Sequence, residues 1–154
     1  MNALMERPAA PGAGKSASKK RILFVEDMLL FREPLVMALR AHGYAVHAVT
    51  SGLEAVECIE KVPPDLLLLD LGIPELDGIS VLRKTAEHRR ECGFPTIVLT
   101  AATNRDFVLQ ARELGVQDYL LKSHCTIKTL LGRIERQLAD RRAGGTRRAL
   151  PADG

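Results

Sequence analysis

Five polar side chains stand at the ends of short apolar runs in this chain. They are Glu26 and Asp27 after ILFV, Asp70 after LLLL, Thr100 at the end of TIVLT and Lys122 after DYLL. A carboxylate at the end of an apolar strand is costly unless it is paired or takes part in chemistry. Three carboxylates brought close together raise one another's pKa or require a cation. Hard oxygen ligands suit Mg²⁺ or Mn²⁺, so these residue types indicate a divalent metal site.

The other two side chains indicate that the site also binds an anionic ligand. Thr100 offers a hydroxyl donor and Lys122 a mobile positive charge, and together they suit the oxygens of a phosphoryl group. A carboxylate can act as the nucleophile that accepts such a group. We therefore interpret Asp70 as the acceptor, held in place by the rigid leucine run that precedes it.

The elements that must position these side chains alternate strictly between strand and helix. Predicted strands occupy residues 22–25, 45–49, 65–70, 95–100 and 118–122. Predicted helices occupy residues 29–42, 51–61, 78–90, 104–114 and 126–140, with Ser51 as the expected N-cap of the second. Strands that are apolar without internal alternation indicate burial on both faces. That is typical of a parallel sheet between two layers of helices.

Five strand–helix units with right-handed crossovers leave few topologies. The economical one is an α/β fold with a doubly wound five-stranded parallel sheet of order 2-1-3-4-5, the flavodoxin-like arrangement. Its switch point lies between strands one and three, and ligands bind there at the carboxyl ends of the strands. The predicted topology therefore gathers the five polar side chains at one end of the sheet.

The fragments at these strand ends resemble a known family. They are Glu26-Asp27, LLLLDLGIPELDG at 66–78, VLTA at 98–101 and DYLLK at 118–122. In this order they resemble the receiver domain of bacterial two-component response regulators, over roughly residues 21–140. The resemblance implies a signalling phosphoacceptor rather than a turnover enzyme. It implies that a histidine kinase or a phosphotransfer protein donates a phosphoryl group to Asp70.

The resemblance also implies roles for individual residues. It implies a metal-ligand set of Asp27, Asp70, the backbone carbonyl of Gly72 and, through water, Glu26. It implies that Thr100 and Lys122 contact the phosphoryl oxygens and that Tyr119 is an aromatic switch on the fifth strand. We expect the switch to alter the surface formed by the fourth helix, the fifth strand and the fifth helix, where a downstream protein or a second copy would bind. Charged residues expected on that surface are Arg105, Asp106, Arg112, Asp118, Arg133, Glu135 and Arg136.

The chain departs from the family pattern after its lysine. The family usually has proline there, often across a cis peptide bond, whereas this chain has Lys122-Ser123. A cis bond without proline costs about 3 kcal/mol, so we expect a trans bond and a reshaped loop. Gly72 and Ala102, two residues after Asp70 and Thr100, are neither polar nor bulky. These residue types therefore do not indicate how long the phosphorylated state lasts.

Composition limits the class of protein. The chain has 154 residues, 46% hydrophobic and 27% charged, which is typical of a globular domain. It has no apolar run near the roughly 18 residues of a membrane span and no apolar segment typical of a signal peptide. Three scattered cysteines without CxxC argue against a disulfide framework. We therefore expect a cytoplasmic protein without membrane contact.

The two ends differ from the body in charge. Residues 1–21 and 141–154 are basic, whereas residues 22–140 carry a net charge of −4. We interpret residues 1–20 as a flexible lead, 21–140 as the receiver domain and 141–154 as a basic tail or linker, with no nucleic-acid binding expected. GAGKS at 12–16 lacks the earlier glycine and the preceding strand that a phosphate-binding P-loop needs.

Three alternatives stay open at this point. The chain could be a receiver segment of a longer regulator with an output domain. It could be a phosphatase-like enzyme with an aspartyl nucleophile, although such enzymes usually carry a second Asp where Gly72 stands. It could also be a nucleotide- or flavin-binding module of the same fold, although no GxGxxG follows the first strand.

Overall fold

A parallel five-stranded sheet forms the centre of the protein. The computed structural model describes residues 18–101 and 105–144. The strands are β1 (Arg21–Val25), β2 (Ala45–Val49), β3 (Leu66–Leu69), β4 (Thr96–Thr100) and β5 (Asp118–Leu121). Their order in the sheet is β2-β1-β3-β4-β5, which confirms the predicted doubly wound topology with its switch point between β1 and β3.

The leucine run of β3 shows why the sheet is buried on both faces. Leu67 and Leu69 belong to one hydrophobic cluster, whereas Leu66 and Leu68 belong to the other. All four are fully buried, because side chains alternate between the two faces of a strand and each face is covered. β3 therefore forms a rigid central support for the residue that follows it.

Helices cover the two faces in separate layers. They are α1 (Leu29–Ala41), α2 (Gly52–Lys61), α3 (Gly78–Lys84), α4 (Ala86–Cys92), α5 (Arg105–Glu113) and α6 (Ile127–Gly144). Buried residues of α1 and α6 such as Leu39 and Ile134 join the cluster of Leu68. Buried residues of α2 and α3 such as Ile59 and Leu82 join the cluster of Leu69. These four helices each bury one apolar face, as the periodicity predicts.

The predicted single helix over residues 78–90 is wrong, because the structure has two helices that meet at Thr85. The Thr85 hydroxyl donates to the carbonyl oxygen of Val81 at 2.7 Å, a contact that bends helices. Buried Arg89 donates to the Thr85 hydroxyl and to the carbonyl oxygens of Leu82 and Leu114. The break therefore depends on partners outside the local sequence.

Other boundaries agree closely with prediction. Ser51 caps α2 by accepting from Glu54 N at 3.3 Å, as predicted. β5 ends at Leu121, and a 3₁₀ turn over Lys122–His124 follows it. α6 continues past residue 140 to Gly144, and Arg141 donates to the carbonyl oxygens of Asp65 and Cys92.

The predicted ends of the chain are only partly described. Residues 1–17, which include GAGKS, and residues 145–154 lie outside the described part of the structure. The division into lead, domain and tail stays a prediction. None of the helices within residues 18–101 and 105–144 has both the length and the apolar character needed to cross a membrane.

Candidate functional site

Three acidic side chains converge at the carboxyl ends of β1 and β3. Each of Glu26, Asp27 and Asp70 offers a carboxylate oxygen, and these oxygens all lie within 4.8 Å of one another. Glu26 and Asp70 are buried, whereas Asp27 is exposed. β1 and β3 are hydrogen-bonded neighbours, so the turns that follow them leave the sheet side by side. The structure thus brings together the acidic cluster that the sequence predicts.

Lys122 reaches this cluster from β5, on the other side of β4. Its Nζ lies 3.0 Å from Asp70 Oδ2 and 2.8 Å from Glu26 Oε1. The side chain is only 11% exposed, so both ion pairs are largely shielded from water. Lys122 therefore joins the ends of three strands through its ammonium group.

The electrostatics of the site follow from burial and pairing. Burial raises the pKa of Glu26, and its hydrogen bonds to Lys122 and to the Met28 backbone only partly oppose this. Burial alone would lower the pKa of Lys122, but hydrogen bonds and attraction from Glu26 and Asp70 outweigh it, so this pKa is raised. Lys122 is therefore charged at neutral pH and holds together carboxylates that would otherwise repel each other.

Backbone groups orient the Asp70 carboxylate. The Asp70 amide donates to the Val25 carbonyl at 3.1 Å, which extends the β1–β3 ladder by one residue. The Gly72 amide donates to Asp70 Oδ1 at 3.1 Å, while Oδ2 faces Lys122. Each carboxylate oxygen thus has a separate donor, which restricts rotation of the side chain.

The turn after Asp70 needs a glycine at position 78. The Gly78 amide donates to the Leu71 carbonyl at 2.9 Å. A Cβ on Gly78 would lie 2.5 Å from Leu71 Cα and 2.8 Å from the Asp70 carbonyl oxygen. Asp77 caps α3 by accepting from Ser80 N at 2.8 Å. α3 therefore begins at Gly78, whose backbone lies directly against that of Asp70 and Leu71.

A cavity of about 650 Å³ opens beside the acidic cluster. Its lining includes Asp27, Asp70, Gly72, Thr100 and Lys122, so five of the predicted site residues share one space. The cavity is larger than a phosphoryl group alone would need, and it continues between α3 and α5. Thr100 is 2% exposed and ends β4, the strand between Asp70 and Lys122.

Tyr119 lies one strand away from Thr100. On the β4–β5 ladder Tyr119 pairs with Val98, two residues before Thr100. Side chains two residues apart share a face of a strand, so Thr100 follows Val98 on the face that Tyr119 packs against. Burial raises the pKa of the Tyr119 hydroxyl. The predicted switch pair is therefore adjacent in the sheet.

The loop after β5 has the predicted trans geometry. No peptide bond within residues 18–101 and 105–144 is cis, and this includes the Lys122–Ser123 bond. The 3₁₀ turn that begins at Lys122 is closed by the Cys125 amide, which donates to the Lys122 carbonyl at 3.1 Å.

Two site residues were not predicted from the sequence. The Lys122 ammonium lies 4.6 Å from the centroid of the Phe31 ring and 3.9 Å from the Met28 sulfur. Met28 is the N-cap of α1 and Phe31 lies in its first turn. In the sequence, only their closeness to Asp27 indicates that Met28 and Phe31 belong to the site, because Lys122 is far away along the chain.

Comparison with known proteins agrees with this geometry. The family model of the response regulator receiver domain matches residues 22–135. The transcriptional regulatory protein PdtaR of Mycobacterium tuberculosis is 39% identical over 121 residues, which are 78% of this chain and 57% of that protein. The DNA-binding response regulator MtrA of the same species is 34% identical over 120 residues, which are 78% of this chain and 51% of that protein. The chain thus spans about half the length of the curated relatives it matches.

A solved structure provides a comparison for the site. It is the receiver domain of the sensor histidine kinase PA1611 from Pseudomonas aeruginosa, with a magnesium ion coordinated in its active-site cleft. Its TM-score is 0.71 at 30% identity, and the match covers 79% of this chain and 99% of that chain. With the family model spanning most of the domain, this chain belongs to the response regulator receiver domain family.

Proposed function

We propose that this protein accepts a phosphoryl group on Asp70 from a sensor histidine kinase or a phosphotransfer protein. The observation that supports this most directly is the convergence of Asp70 with Asp27, Glu26 and Lys122 at one end of the sheet. In the transfer, an Asp70 carboxylate oxygen forms a bond to phosphorus while the P–N bond of the donor phosphohistidine breaks. The imidazole nitrogen keeps the bonding electron pair, and the product is an aspartyl phosphate.

The acidic cluster fits a hard divalent cation such as Mg²⁺ or Mn²⁺, since its donors are carboxylate oxygens beside an open cavity. Asp27, Asp70 and the backbone carbonyl of Gly72 would hold the ion, with Glu26 acting through water. When bound, such an ion offsets the negative charge of the carboxylates and of the phosphoryl oxygens.

Lys122 and Thr100 would receive the phosphoryl oxygens. Lys122 already holds the carboxylate at which the new bond forms, so its ammonium remains beside the charge that develops there. Thr100 lines the same cavity and offers a hydroxyl donor from the neighbouring strand. Lys122 is already in contact with the acceptor, and such preorganisation lowers the cost of transfer.

The output of phosphorylation would be a change on the surface formed by α5, β5 and α6. Thr100 and Tyr119 lie on neighbouring strands, so a displaced Thr100 hydroxyl would open space for the Tyr119 ring. Asp118, next to Tyr119, pairs with Arg133 of α6 at 2.6 Å, which connects the switch strand to the surface. A downstream protein or a second copy would bind there.

The output of the whole protein is a separate proposal. MtrA is described as a DNA-binding response regulator, and this chain spans about half of its length. We propose that residues 21–140 act through protein contacts rather than by binding nucleic acid. The acidic body of the chain, with a net charge of −4 over residues 22–140, supports this because it would repel a phosphate backbone.

Acetyl phosphate with Mg²⁺, followed by intact mass measurement, tests the acceptor. We expect one phosphoryl group per chain, none after Asp70→Asn and none in EDTA. Asp27→Asn should weaken Mg²⁺ binding and slow labelling. Full labelling of Asp70→Asn would sink the assignment of the acceptor.

Beryllofluoride, a phosphoryl mimic, tests the output surface. Amide NMR shifts on its addition should extend from the site through Tyr119 to α5 and β5. Shifts confined to α1 and α2 would show that another surface carries the signal.

A further inference from the structure

The ammonium group of Lys122 has an apolar side as well as an acidic one. Glu26 and Asp70 carboxylate oxygens lie 2.8 and 3.0 Å from Nζ. The same Nζ lies 4.6 Å from the Phe31 ring centroid and 3.9 Å from the Met28 sulfur. The distance to the ring is within the range of a cation–π contact. The ammonium is therefore enclosed by α1 and the acidic cluster.

The backbone around Lys122 does not by itself fix the position of the ammonium group at the end of this side chain. Lys122 is the first residue of a 3₁₀ turn that spans Lys122–His124 and ends at Cys125. Ser123 and His124 are exposed, so neither packs the turn against the core. A lysine has four rotatable side-chain bonds, and each fixed bond costs conformational entropy. Side-chain contacts must therefore supply much of the order of the ammonium group.

We propose that Phe31 is a positioning residue that keeps the Lys122 ammonium in place during phosphoryl transfer. The ring attracts the cation through its π face but offers it no proton acceptor. Phe31 therefore does not compete with the phosphoryl oxygens for the hydrogen bonds of Lys122. Met28 contributes a weaker contact from the same turn of α1. This proposal rests on the proposed function, because it assigns Phe31 a part in the same reaction.

The contact with Phe31 matters most when the charge of Asp70 changes. Before transfer, Lys122 is held by two carboxylates. As the bond to phosphorus forms, the oxygen of Asp70 becomes part of an acyl phosphate and is a poorer partner, while charge gathers on the phosphoryl oxygens. The Phe31 ring is unaffected by the reaction. The ring therefore stays in contact with the ammonium group while the negative charge that the ammonium faces passes from Asp70 to the phosphoryl oxygens.

The test compares Phe31→Leu, which removes the ring but keeps apolar volume, with Phe31→Tyr, which retains the ring. Leu30→Ala is the matched control, since Leu30 is the neighbouring residue of α1 and is 87% exposed. With acetyl phosphate and Mg²⁺, we expect Phe31→Leu to lower the maximal phosphorylation rate roughly 2- to 30-fold, the range of a cation–π contact. Phe31→Tyr should keep most of the rate, and Leu30→Ala should keep all of it.

A second readout does not depend on phosphorylation. Protons above an aromatic ring are shifted upfield, so the ε-methylene NMR signal of Lys122, identified by its loss in Lys122→Met, should move downfield in Phe31→Leu but not in Phe31→Tyr. Mg²⁺ affinity should be the same in both variants, because Phe31 offers no oxygen ligand and is not one of the proposed metal ligands. A merely structural role would change Mg²⁺ affinity and thermal stability together.

The outcomes separate the two proposals. If the wild-type protein is not phosphorylated, the proposed function fails, while the NMR signal still tests the contact. If phosphorylation is normal in Phe31→Leu, or if Phe31→Tyr is equally slow, the positioning role is overturned. An unchanged Lys122 signal in Phe31→Leu would overturn it as well.

Discussion

Lys122 Nζ lies 3.0 Å from Asp70 Oδ2, although the two residues follow strands, β5 and β3, that do not pair with each other. The lysine reaches past the end of β4 and also pairs with Glu26 after β1 at 2.8 Å. One cation thus compensates two buried carboxylates at the ends of three strands. The same ammonium that holds the resting site together is placed to meet an incoming phosphoryl group.

Replacing Lys122 with Met should destabilise the fold. Glu26 and Asp70 would be left buried without their cation, and loss of one partner from a buried ion pair costs about 3 kcal/mol. Urea unfolding at pH 7 measures the change, and Lys128→Met, at an exposed position of α6, should have almost no effect. Glu26→Gln should restore part of the loss in the double variant. Equal stability of Lys122→Met and wild type would contradict the pairing.

The pairing of Lys122 also predicts the behaviour at alkaline pH. Its pKa in the folded protein is raised above the value of about 10.4 in the unfolded chain. The stabilisation that the charged Lys122 contributes is therefore complete below the unfolded pKa, and it is lost as the pH rises through the higher folded pKa. The difference in unfolding free energy between wild type and Lys122→Met should shrink over this window. A constant difference from pH 8 to pH 12 would argue against the raised pKa.

Substitution of Gly78 should disturb the support of Asp70. An added Cβ would lie 2.5 Å from Leu71 Cα, and backbone atoms cannot move aside cheaply. We expect Gly78→Ala to cost about 1–3 kcal/mol in urea unfolding. Gly132→Ala, in α6 with no atom within 4 Å of the added methyl, is the matched control and should stabilise by about 0.5–1 kcal/mol. If the two variants behave alike, the close approach is not the reason for Gly78.

Arg89 should be essential to the junction of α3, α4 and α5. Burial lowers its pKa to about 10, so it is still charged at neutral pH, and it donates to the carbonyl oxygens of Leu82 and Leu114. Arg89→Met removes these buried and partly buried hydrogen bonds, at a cost of about 1–3 kcal/mol. Thermal unfolding should show a clear loss for this variant. The exposed neighbour Arg90, in an ion pair of 3.8 Å, provides the control Arg90→Met, with a change near zero.

Much of the fold follows from local pattern. The four leucines of β3 predict a strand buried on both faces, and the alternation of such strands with amphipathic helices leaves the doubly wound order as the economical solution. Parallel sheets of this kind bind their ligands at the carboxyl ends of the strands. The sequence therefore predicts that Glu26, Asp27, Asp70, Thr100 and Lys122 meet, since each stands at such an end.

The tertiary structure decides what depends on contacts between distant parts of the chain. The break between α3 and α4 involves Arg89 and the carbonyl of Leu114, which follows α5, so periodicity over residues 78–90 predicts one helix instead of two. The contact of Phe31 with Lys122 is likewise long-range, and an apolar residue in a first helical turn has no local sign of it. Periodicity and strand ends are local properties of a sequence. The partner of a buried side chain is set by how the layers pack, and it emerges only when the chain is folded.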